Sequence, residues 1–137
     1  MKKYELDLEQ LPLLSDALIS DFSNGVILLR GDLASGKTTL TKYIVNSLGL
    51  KDEVTSPTFS LQQVYGEKVY HYDIYNKGLD SFISLGMLEE LDKEGLHLVE
   101  WGDDALKKIL VDAGFDLMEI EIKKMQNNKR EYTICTF

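Results

Sequence analysis

The spacing of apolar residues along the chain changes between two patterns, and this change predicts an α/β fold. Residues 25–31, GVILLRG, form a short apolar run that is typical of a buried strand in a parallel sheet. Apolar residues then recur at three- and four-residue spacing from Leu40 to Leu48, which predicts a helix that begins near Lys37 and ends at Gly49. The segment is therefore read as strand, glycine-containing loop and helix.

The same two patterns predict the remaining elements. Helices are expected over about 11–22, as short pieces over 82–94, and from an Asp103 cap to Gly114. Strands are expected at 3–8, 58–65, 68–75 and 96–101, with a hairpin turn at Gly66 and Glu67 and a C-terminal hairpin that turns at 126–129. The sum is a P-loop NTPase-like sheet with a parallel core, added antiparallel strands and helices on both faces. One domain is expected over 1–137.

Composition narrows the class of protein. The chain is 44% hydrophobic and 28% charged, as ordinary globular proteins are, and Cys135 is its one cysteine, which excludes an internal disulfide. The longest apolar run, at 26–29, is too short for a signal core or a membrane span, so we expect a cytoplasmic protein without a membrane partner. A net charge of −8 argues against direct binding of a nucleic-acid backbone, and any RNA would be held by another protein.

Residues 31–40, GDLASGKTTL, carry the phosphate-loop pattern G-x-x-x-x-G-K-[ST]. The composition of this chain would produce that pattern by accident in under about one sequence of this length in a hundred. Gly31 and Gly36 allow backbone N–H groups to approach a phosphate closely. Lys37 adds a positive charge for the outer phosphates, the start of the following helix favours the same anion, and the Thr38 hydroxyl can reach a Mg²⁺ ion. The alternative is a plain glycine turn with an exposed lysine.

Three further stretches supply candidate chemistry. Glu100 directly follows the apolar run LHLV and is the expected second magnesium ligand, although such a residue can also serve in a salt bridge or a cap. Strand alternation places His71 and Asp73 on one face of 69–75, where Asp73 is a second candidate acid and His71 is either functional or structural. The segment TSPTF at 55–59 lies where phosphate-sensing switches lie in other nucleotide hydrolases.

Taken together, the motifs GDLASGKTTL, TSPTF, HYDIY, the Leu-Gly pair at 85–86 and the Glu-Trp pair at 100–101 closely resemble the TsaE (YjeE) family over about residues 25–105. The resemblance implies a Mg-ATPase that uses ATP as substrate and binds a complex of TsaB and TsaD. That complex makes the N6-threonylcarbamoyl modification of adenosine 37 in tRNA, and TsaD carries out the transfer itself.

The resemblance also implies roles for individual residues. The nucleotide would be bound by the loop and its surroundings: Gly31, Leu33, Ala34, Ser35, Gly36, Lys37, Thr38, Thr39 and Trp101. Thr38 and Glu100 would hold Mg²⁺, and the catalytic residues would be Asp73, Glu100 and Lys37. A mobile switch would comprise Ser56, Pro57, Thr58 and Phe59. Trp101 has a plain alternative as a core anchor at a strand end.

The sequence departs from the family pattern at three points. Ala34 stands where the family usually has Gly, Asn76 stands where it has Arg after the His-x-Asp-x-Tyr motif, and no threonine precedes Thr38 to contact adenine. These departures affect the expected adenine contacts and the role of the missing arginine.

Other nucleotide-dependent functions make different demands on the sequence. A small P-loop kinase commonly needs several arginines and a lid, but Arg30 and Arg130 are the only arginines and neither lies in a lid-like segment. NKGLD at 76–80 is one residue too long for the guanine-reading box of a GTP switch. A nucleotide-gated adaptor without hydrolysis remains the main alternative. Because no internal arginine finger is evident, we expect slow hydrolysis by the chain alone and faster hydrolysis with its partners.

Overall fold

The computed structural model describes residues 1–55, 61–76 and 78–137. Its strands are β1 (Lys2–Leu6), β2 (Gly25–Arg30), β3 (Gln62–Tyr65), β4 (Val69–Asp73), β5 (Leu96–Glu100), β6 (Leu117–Lys124) and β7 (Arg130–Thr136). Its helices are α1 (Leu11–Asp21), α2 (Lys37–Ser47), α3 (Gly78–Ser84), α4 (Met87–Leu91) and α5 (Asp104–Asp112), with a short 3₁₀ turn at Leu8–Gln10. The predicted switch residues Ser56, Pro57, Thr58 and Phe59 lie outside the described residues.

The strands form one seven-stranded sheet in the order β1-β7-β6-β2-β5-β4-β3. β2 pairs in parallel with both β5 and β6, and β4 pairs in parallel with β5, so four central strands point the same way. β1, β3 and β7 are added antiparallel to their neighbours. The predicted parallel core with antiparallel additions is confirmed.

Helices cover both faces of the sheet, and the central strand β2 is apolar on both sides. Ile27 and Leu29 of β2 pack with apolar residues of α1 and α2 on one face. Val26 and Leu28 pack with residues of α3, α4 and α5 on the other. All four of these side chains are buried, which is why β2 reads as a continuous apolar run rather than an alternating one.

Two predicted element boundaries differ from the observed ones. The strand predicted at 68–75 ends at Asp73 because its Oδ1 accepts a hydrogen bond from the Tyr75 N–H at 2.9 Å, a local turn that competes with strand pairing. The helices predicted over 82–94 begin earlier, at Gly78, and are separated by Gly86 in a left-handed conformation.

No helix in the described ranges is long and apolar enough to cross a membrane.

Candidate functional site

The loop of residues 31–36 leaves the carboxyl end of β2 and leads directly into α2, as the glycine pattern predicts. A Cβ on Gly31 would lie 2.5 Å from the Ser35 Oγ and 2.6 Å from the Ile122 carbonyl oxygen, so no side chain fits there. Gly36 precedes α2 at φ +113°, a conformation that L side chains rarely adopt. Both glycines are therefore required by the path of the loop.

Ala34 occupies a glycine-like position in the same loop, with φ +59°. A residue with a Cβ pays about 1 kcal/mol or more for this left-handed conformation. This is the position at which the sequence departs from the family's usual Gly. The described structure also leaves the buried Ser35 Oγ in this loop without a hydrogen-bond partner.

Lys37 is held inside the loop rather than extended into solvent. The residue is buried, with a relative exposure of 5%, and its Nζ donates to the carbonyl oxygens of Gly31 at 2.7 Å and Asp32 at 3.0 Å. The Nζ also lies 4.0 Å from the centre of the Trp101 ring, within cation–π distance. Burial lowers the pKa of Lys37, and the nearby carboxylates of Glu100 and Asp73 oppose that change.

Thr38 and Glu100 meet at the start of α2. The Thr38 Oγ1 lies 2.9 Å and 3.1 Å from the two carboxylate oxygens of Glu100 and donates to that carboxylate. The pairing follows from the sheet: Glu100 ends β5 in register with Leu29, two residues before the loop begins. The predicted pair of oxygen ligands is thus brought together, although 62 residues separate them in sequence.

A chain of hydrogen bonds fixes the Glu100 carboxylate from behind. The His71 Nε2 lies 2.5 Å from Glu100 Oε2, and the His71 Nδ1 lies 2.8 Å from the Tyr65 hydroxyl. With Nε2–H donating to the carboxylate, Nδ1 accepts from the Tyr65 hydroxyl, which also lies 2.8 Å from the Gln63 Oε1. Burial raises the pKa of Tyr65 to about 12, so its hydroxyl stays protonated at neutral pH. His71 is fully buried and does not itself line the cavity.

Asp73 ends β4 beside Glu100, with which it is in register across the parallel strands. The N–H of the next residue, Ile74, donates to the Glu100 carbonyl oxygen at 3.1 Å, and this hydrogen bond keeps the two strand ends together. The strand alternation predicted for His71 and Asp73 holds, but only Asp73 reaches the cavity.

Trp101 follows Glu100 with φ +65°, an unusual conformation for a bulky residue. The turn directs its ring against Tyr75, with 4.6 Å between ring centres, and over Lys37. Trp101 lines the cavity and belongs to neither buried core cluster. Its position therefore differs from that of a core anchor at a strand end.

These residues surround an open cavity of about 530 Å³. Its lining comprises Leu33, Ala34, Ser35, Gly36, Lys37, Thr38, Thr39, Asp73, Tyr75, Asn76, Glu100, Trp101 and Arg130. Gly31 does not line it and contributes instead through its carbonyl bond to Lys37. Within the described ranges, no group of three or more His, Cys, Asp or Glu residues could hold a metal ion by itself.

Arg130 is the main residue that the sequence did not assign to the site. It begins β7, and its Nε donates to the Ser35 carbonyl oxygen at 2.7 Å. Nothing in the local sequence indicates this contact. The signal is topological: β6 runs parallel to β2, so the turn into β7 returns at the edge of the sheet where the phosphate loop lies.

Comparison with known proteins agrees with these observations. The profile of the family described as "Threonylcarbamoyl adenosine biosynthesis protein TsaE" matches residues 7–132. The tRNA threonylcarbamoyladenosine biosynthesis protein TsaE of Treponema pallidum is 32% identical over 113 residues, covering 80% of this chain and 81% of that protein. The protein of the same name from Rickettsia prowazekii is 37% identical over 112 residues, covering 78% and 74%.

A solved structure shows the same fold. The crystal structure of Bacillus subtilis YdiB superposes with a TM-score of 0.70 and 28% identity, covering 97% of this chain and 83% of that chain.

Proposed function

This chain belongs to the TsaE family of threonylcarbamoyl adenosine biosynthesis proteins, and we propose that it is a magnesium-dependent ATPase. In this proposal its hydrolysis cycle supports the N6-threonylcarbamoylation of adenosine 37 in tRNA by binding and cycling the TsaB–TsaD complex. The observation that carries the proposal is the meeting of Thr38 with Glu100 at 2.9 Å, directly beside the phosphate loop and the buried Lys37.

The loop residues fit a chain of phosphates. Gly31 and Gly36 keep Cβ atoms out of the loop, and α2 begins at Lys37, so its first N–H groups and the positive end of its dipole face the cavity. The Lys37 ammonium, now bonded to two loop carbonyls, would transfer to phosphate oxygens when ATP binds. The partnerless hydroxyl of Ser35 supplies one more polar group in the same loop.

Thr38 and Glu100 fit a magnesium ion that is shared with a nucleotide. Mg²⁺ prefers oxygen ligands and usually takes only one or two from the protein, with phosphates and water supplying the others. The hydroxyl and the carboxylate would exchange their mutual hydrogen bond for contacts to the metal. When bound, the ion neutralises charge on the phosphates as the reaction proceeds. His71 holds the carboxylate in place through its own hydrogen bond.

Asp73 is the residue that we assign to the attacking water. Its carboxylate lines the cavity next to Glu100, and its bond from the Tyr75 N–H limits its rotation. The water would attack the terminal phosphorus as Asp73 accepts its proton, the bond from that phosphorus to the bridging oxygen would break, and ADP and phosphate would leave. Hydrolysis by the chain alone should be slow, because Arg130 contacts the loop at the Ser35 carbonyl oxygen and not the part of the site beside Glu100.

The proposed partners are based on the family and on the net charge. A net charge of −8 disfavours a direct grip on tRNA, so the RNA would be held by TsaB–TsaD while this chain binds those proteins. The same charge gives no support to binding DNA.

Nucleotide binding can be tested with the chain's single tryptophan, Trp101, which lies against Lys37 and should report on occupancy of the loop. Lys37→Ala should weaken MgATP affinity at least about tenfold, as expected when a charged hydrogen-bond donor is lost. Lys42→Ala is the matched control, because Lys42 is an exposed lysine on the same helix. Calorimetry checks affinities independently of the fluorescence. Equal MgATP affinity in Lys37→Ala and wild type would refute the nucleotide site.

Hydrolysis is tested separately by phosphate release with and without TsaB–TsaD. We expect a low rate alone and a higher rate at saturating partner complex. Tight MgATP binding without phosphate release in either condition would favour a nucleotide-gated adaptor. Release that does not change when the partners saturate the protein would contradict partner activation.

A further inference from the structure

The Leu-Gly pair at 85–86 takes no part in the loop cavity and lies at the exposed corner between α3 and α4. Leu85 has a relative exposure of 54%, and Ile83, two residues earlier, has one of 39%. Gly86 makes the turn at φ +79°, a conformation that favours glycine. Neither apolar side chain belongs to a core cluster, so packing within the fold does not explain them.

The backbone of the corner is fixed beneath these side chains. The Leu85 N–H donates to the Ser81 carbonyl oxygen, and the Gly86 N–H donates to the Ile83 carbonyl oxygen, both at 3.0 Å. The neighbouring Phe82 is fully buried in the core. Because the corner is already ordered, little conformational freedom would be lost when a partner covers Leu85 and Ile83.

The charge around the corner is negative. Residues 78–92 contain no lysine or arginine but four acids, which are Asp80, Glu89, Glu90 and Asp92. Glu90 is paired with Lys93 at 2.6 Å. Asp80 and Glu89 are exposed and form no salt bridge with any residue in the described ranges. An apolar tip with an acidic border is complementary to an apolar pocket that is bordered by lysine or arginine.

The same charge selects among the possible occupants of the corner. A second copy of the chain would bring its own net charge of −8 to an acidic surface. Nucleic acid and an anionic membrane would be repelled for the same reason. A different protein with a basic surface is the partner that the corner fits.

The corner lies close to the loop cavity. Tyr75 lines that cavity, and α3 begins three residues later, at Gly78. The three linking residues and the seven residues of α3 together span no more than about 20 Å. An interface of standard size, about 800 Å² on each partner, is wider than this. A protein that covers Leu85 would therefore also reach the mouth of the cavity.

We propose that this α3–α4 corner, formed by Asp80, Ile83, Leu85 and Glu89, is a docking surface for a protein with an apolar pocket bordered by basic side chains, and that the TsaB–TsaD complex presents this pocket. The inference rests on the proposed function, which includes that complex but no surface for it. Leu85 is the apolar anchor, and Asp80 and Glu89 face the basic border. None of these residues lines the loop cavity, so docking is separate from nucleotide binding.

The experiment measures the affinity of the full chain for immobilised TsaB–TsaD by surface plasmon resonance in MgATP. Leu85→Ser should weaken binding at least about tenfold, as expected when a central apolar anchor is lost. Leu13→Ser is the matched control, because Leu13 is an exposed leucine of α1 on the opposite face of the sheet, and it should stay within about twofold of wild type. MgATP affinity, read from Trp101 fluorescence, should be unchanged in both variants.

A second pair of variants tests the acidic border. Glu89→Lys should weaken binding at least about fivefold at low ionic strength, and the loss should become smaller in high salt. Asp16→Lys makes the same change of charge at an exposed acid of α1 and should stay within about twofold of wild type.

Each other outcome overturns a defined statement. Wild-type affinity in Leu85→Ser, or an equal loss in Leu13→Ser, would refute the docking surface. A loss in Leu85→Ser but not in Glu89→Lys would refute the basic border of the partner's pocket. Self-association of the wild type that Leu85→Ser abolishes would assign the corner to a second copy and refute the proposal.

Failure of the wild-type chain to bind TsaB–TsaD would refute the partner of the proposed function, and this surface with it. That result differs from wild-type binding that no corner variant changes, which refutes the surface alone. If thermal unfolding shows that Leu85→Ser is not folded, Glu89→Lys decides, and an unchanged affinity in it refutes the proposal.

Discussion

Two buried tyrosine–histidine pairs of the same geometry allow the role of the hydrogen-bond chain behind Glu100 to be separated from its contribution to stability. The Tyr65 hydroxyl lies 2.8 Å from the His71 Nδ1, and the Tyr72 hydroxyl lies 2.8 Å from the His97 Nδ1. Each hydroxyl also contacts a glutamine side chain. Only the first pair continues to Glu100, whereas His97 Nε2 donates to a backbone carbonyl. The perturbation is therefore phenylalanine at each tyrosine.

Both substitutions should lower the free energy of unfolding by a similar amount. Phenylalanine keeps the ring of Tyr65 or Tyr72 in place but leaves a buried imidazole nitrogen without its partner, which costs about 1–3 kcal/mol. For a chain of this size the corresponding drop in Tm is about 3–10 °C. Urea or thermal denaturation without nucleotide measures this effect and shows whether both variants are folded at the assay temperature.

The two variants should differ in their dependence on magnesium. Without its bond from Tyr65, His71 is no longer fixed in the orientation that donates to Glu100, and loss of such an outer contact typically weakens a metal site about 10–100-fold. The assay is phosphate release at fixed ATP while the Mg²⁺ concentration is varied. Tyr65→Phe should need at least about tenfold more Mg²⁺ for half-maximal rate, and Tyr72→Phe should stay within twofold of wild type.

The reasoning fails if the magnesium requirement follows stability alone. Equal shifts in Tyr65→Phe and Tyr72→Phe would mean that general loosening of the fold explains both. No shift in Tyr65→Phe would mean that Thr38 and the end of β5 are sufficient to orient Glu100, and that His71 is only a structural residue.

Three further results are expected from the loop and from Tyr65. Ala34→Gly should raise the free energy of unfolding by about 0.5 kcal/mol in urea denaturation, because relief of the left-handed strain exceeds the added freedom of the unfolded chain; a loss of stability would contradict this. Gly31→Ala should lower the free energy of unfolding by more than about 2 kcal/mol, because its Cβ would lie 2.5 Å from the Ser35 Oγ. Gly49→Ala, with open space around it, should lower it by only about 1 kcal/mol, and equal losses in the two variants would contradict the clash. Because the pKa of Tyr65 rises from 10.0 to about 12 on folding, the stability that its hydroxyl gives the folded state is complete below pH 10 and is lost as the pH approaches 12. The difference in free energy of unfolding between wild type and Tyr65→Phe should therefore narrow over that range. A difference that is constant with pH would contradict this.

The fold was predictable because two independent patterns in the sequence indicate it, the periodicity of the apolar residues and the positions of the turn residues. The apolar run of β2 has to be buried on both faces, which requires a parallel core with helices on each side. What periodicity could not give was the end of β4, since Asp73 stops that strand through a side-chain bond to the backbone of Tyr75. Alternation reports which face a residue occupies, not where pairing ends.

The core of the site was predictable for a related reason. A phosphate loop follows a central strand, and an acid at the end of the adjacent strand must lie near it, so Glu100 could be placed beside Thr38 without coordinates. The position of Trp101 was open, because its backbone conformation, at φ +65°, decides whether its ring enters the core or the cavity. Sequence patterns contain no information on that angle.

Arg130 shows how one rule of topology extends the site beyond its motifs. Parallel strands gather their carboxyl ends at one edge, which brings together the loop after β2, Glu100 after β5 and Asp73 at the end of β4. A hairpin attached to a parallel strand reverses there, so the first residue of its returning strand lies at that same edge. Arg130 is that residue, and it is the one basic side chain besides Lys37 among those that line the loop cavity in the described part of the chain. Its cation therefore reaches the phosphate loop because of where β6 pairs, and the hairpin belongs to the functional site as much as the loop does.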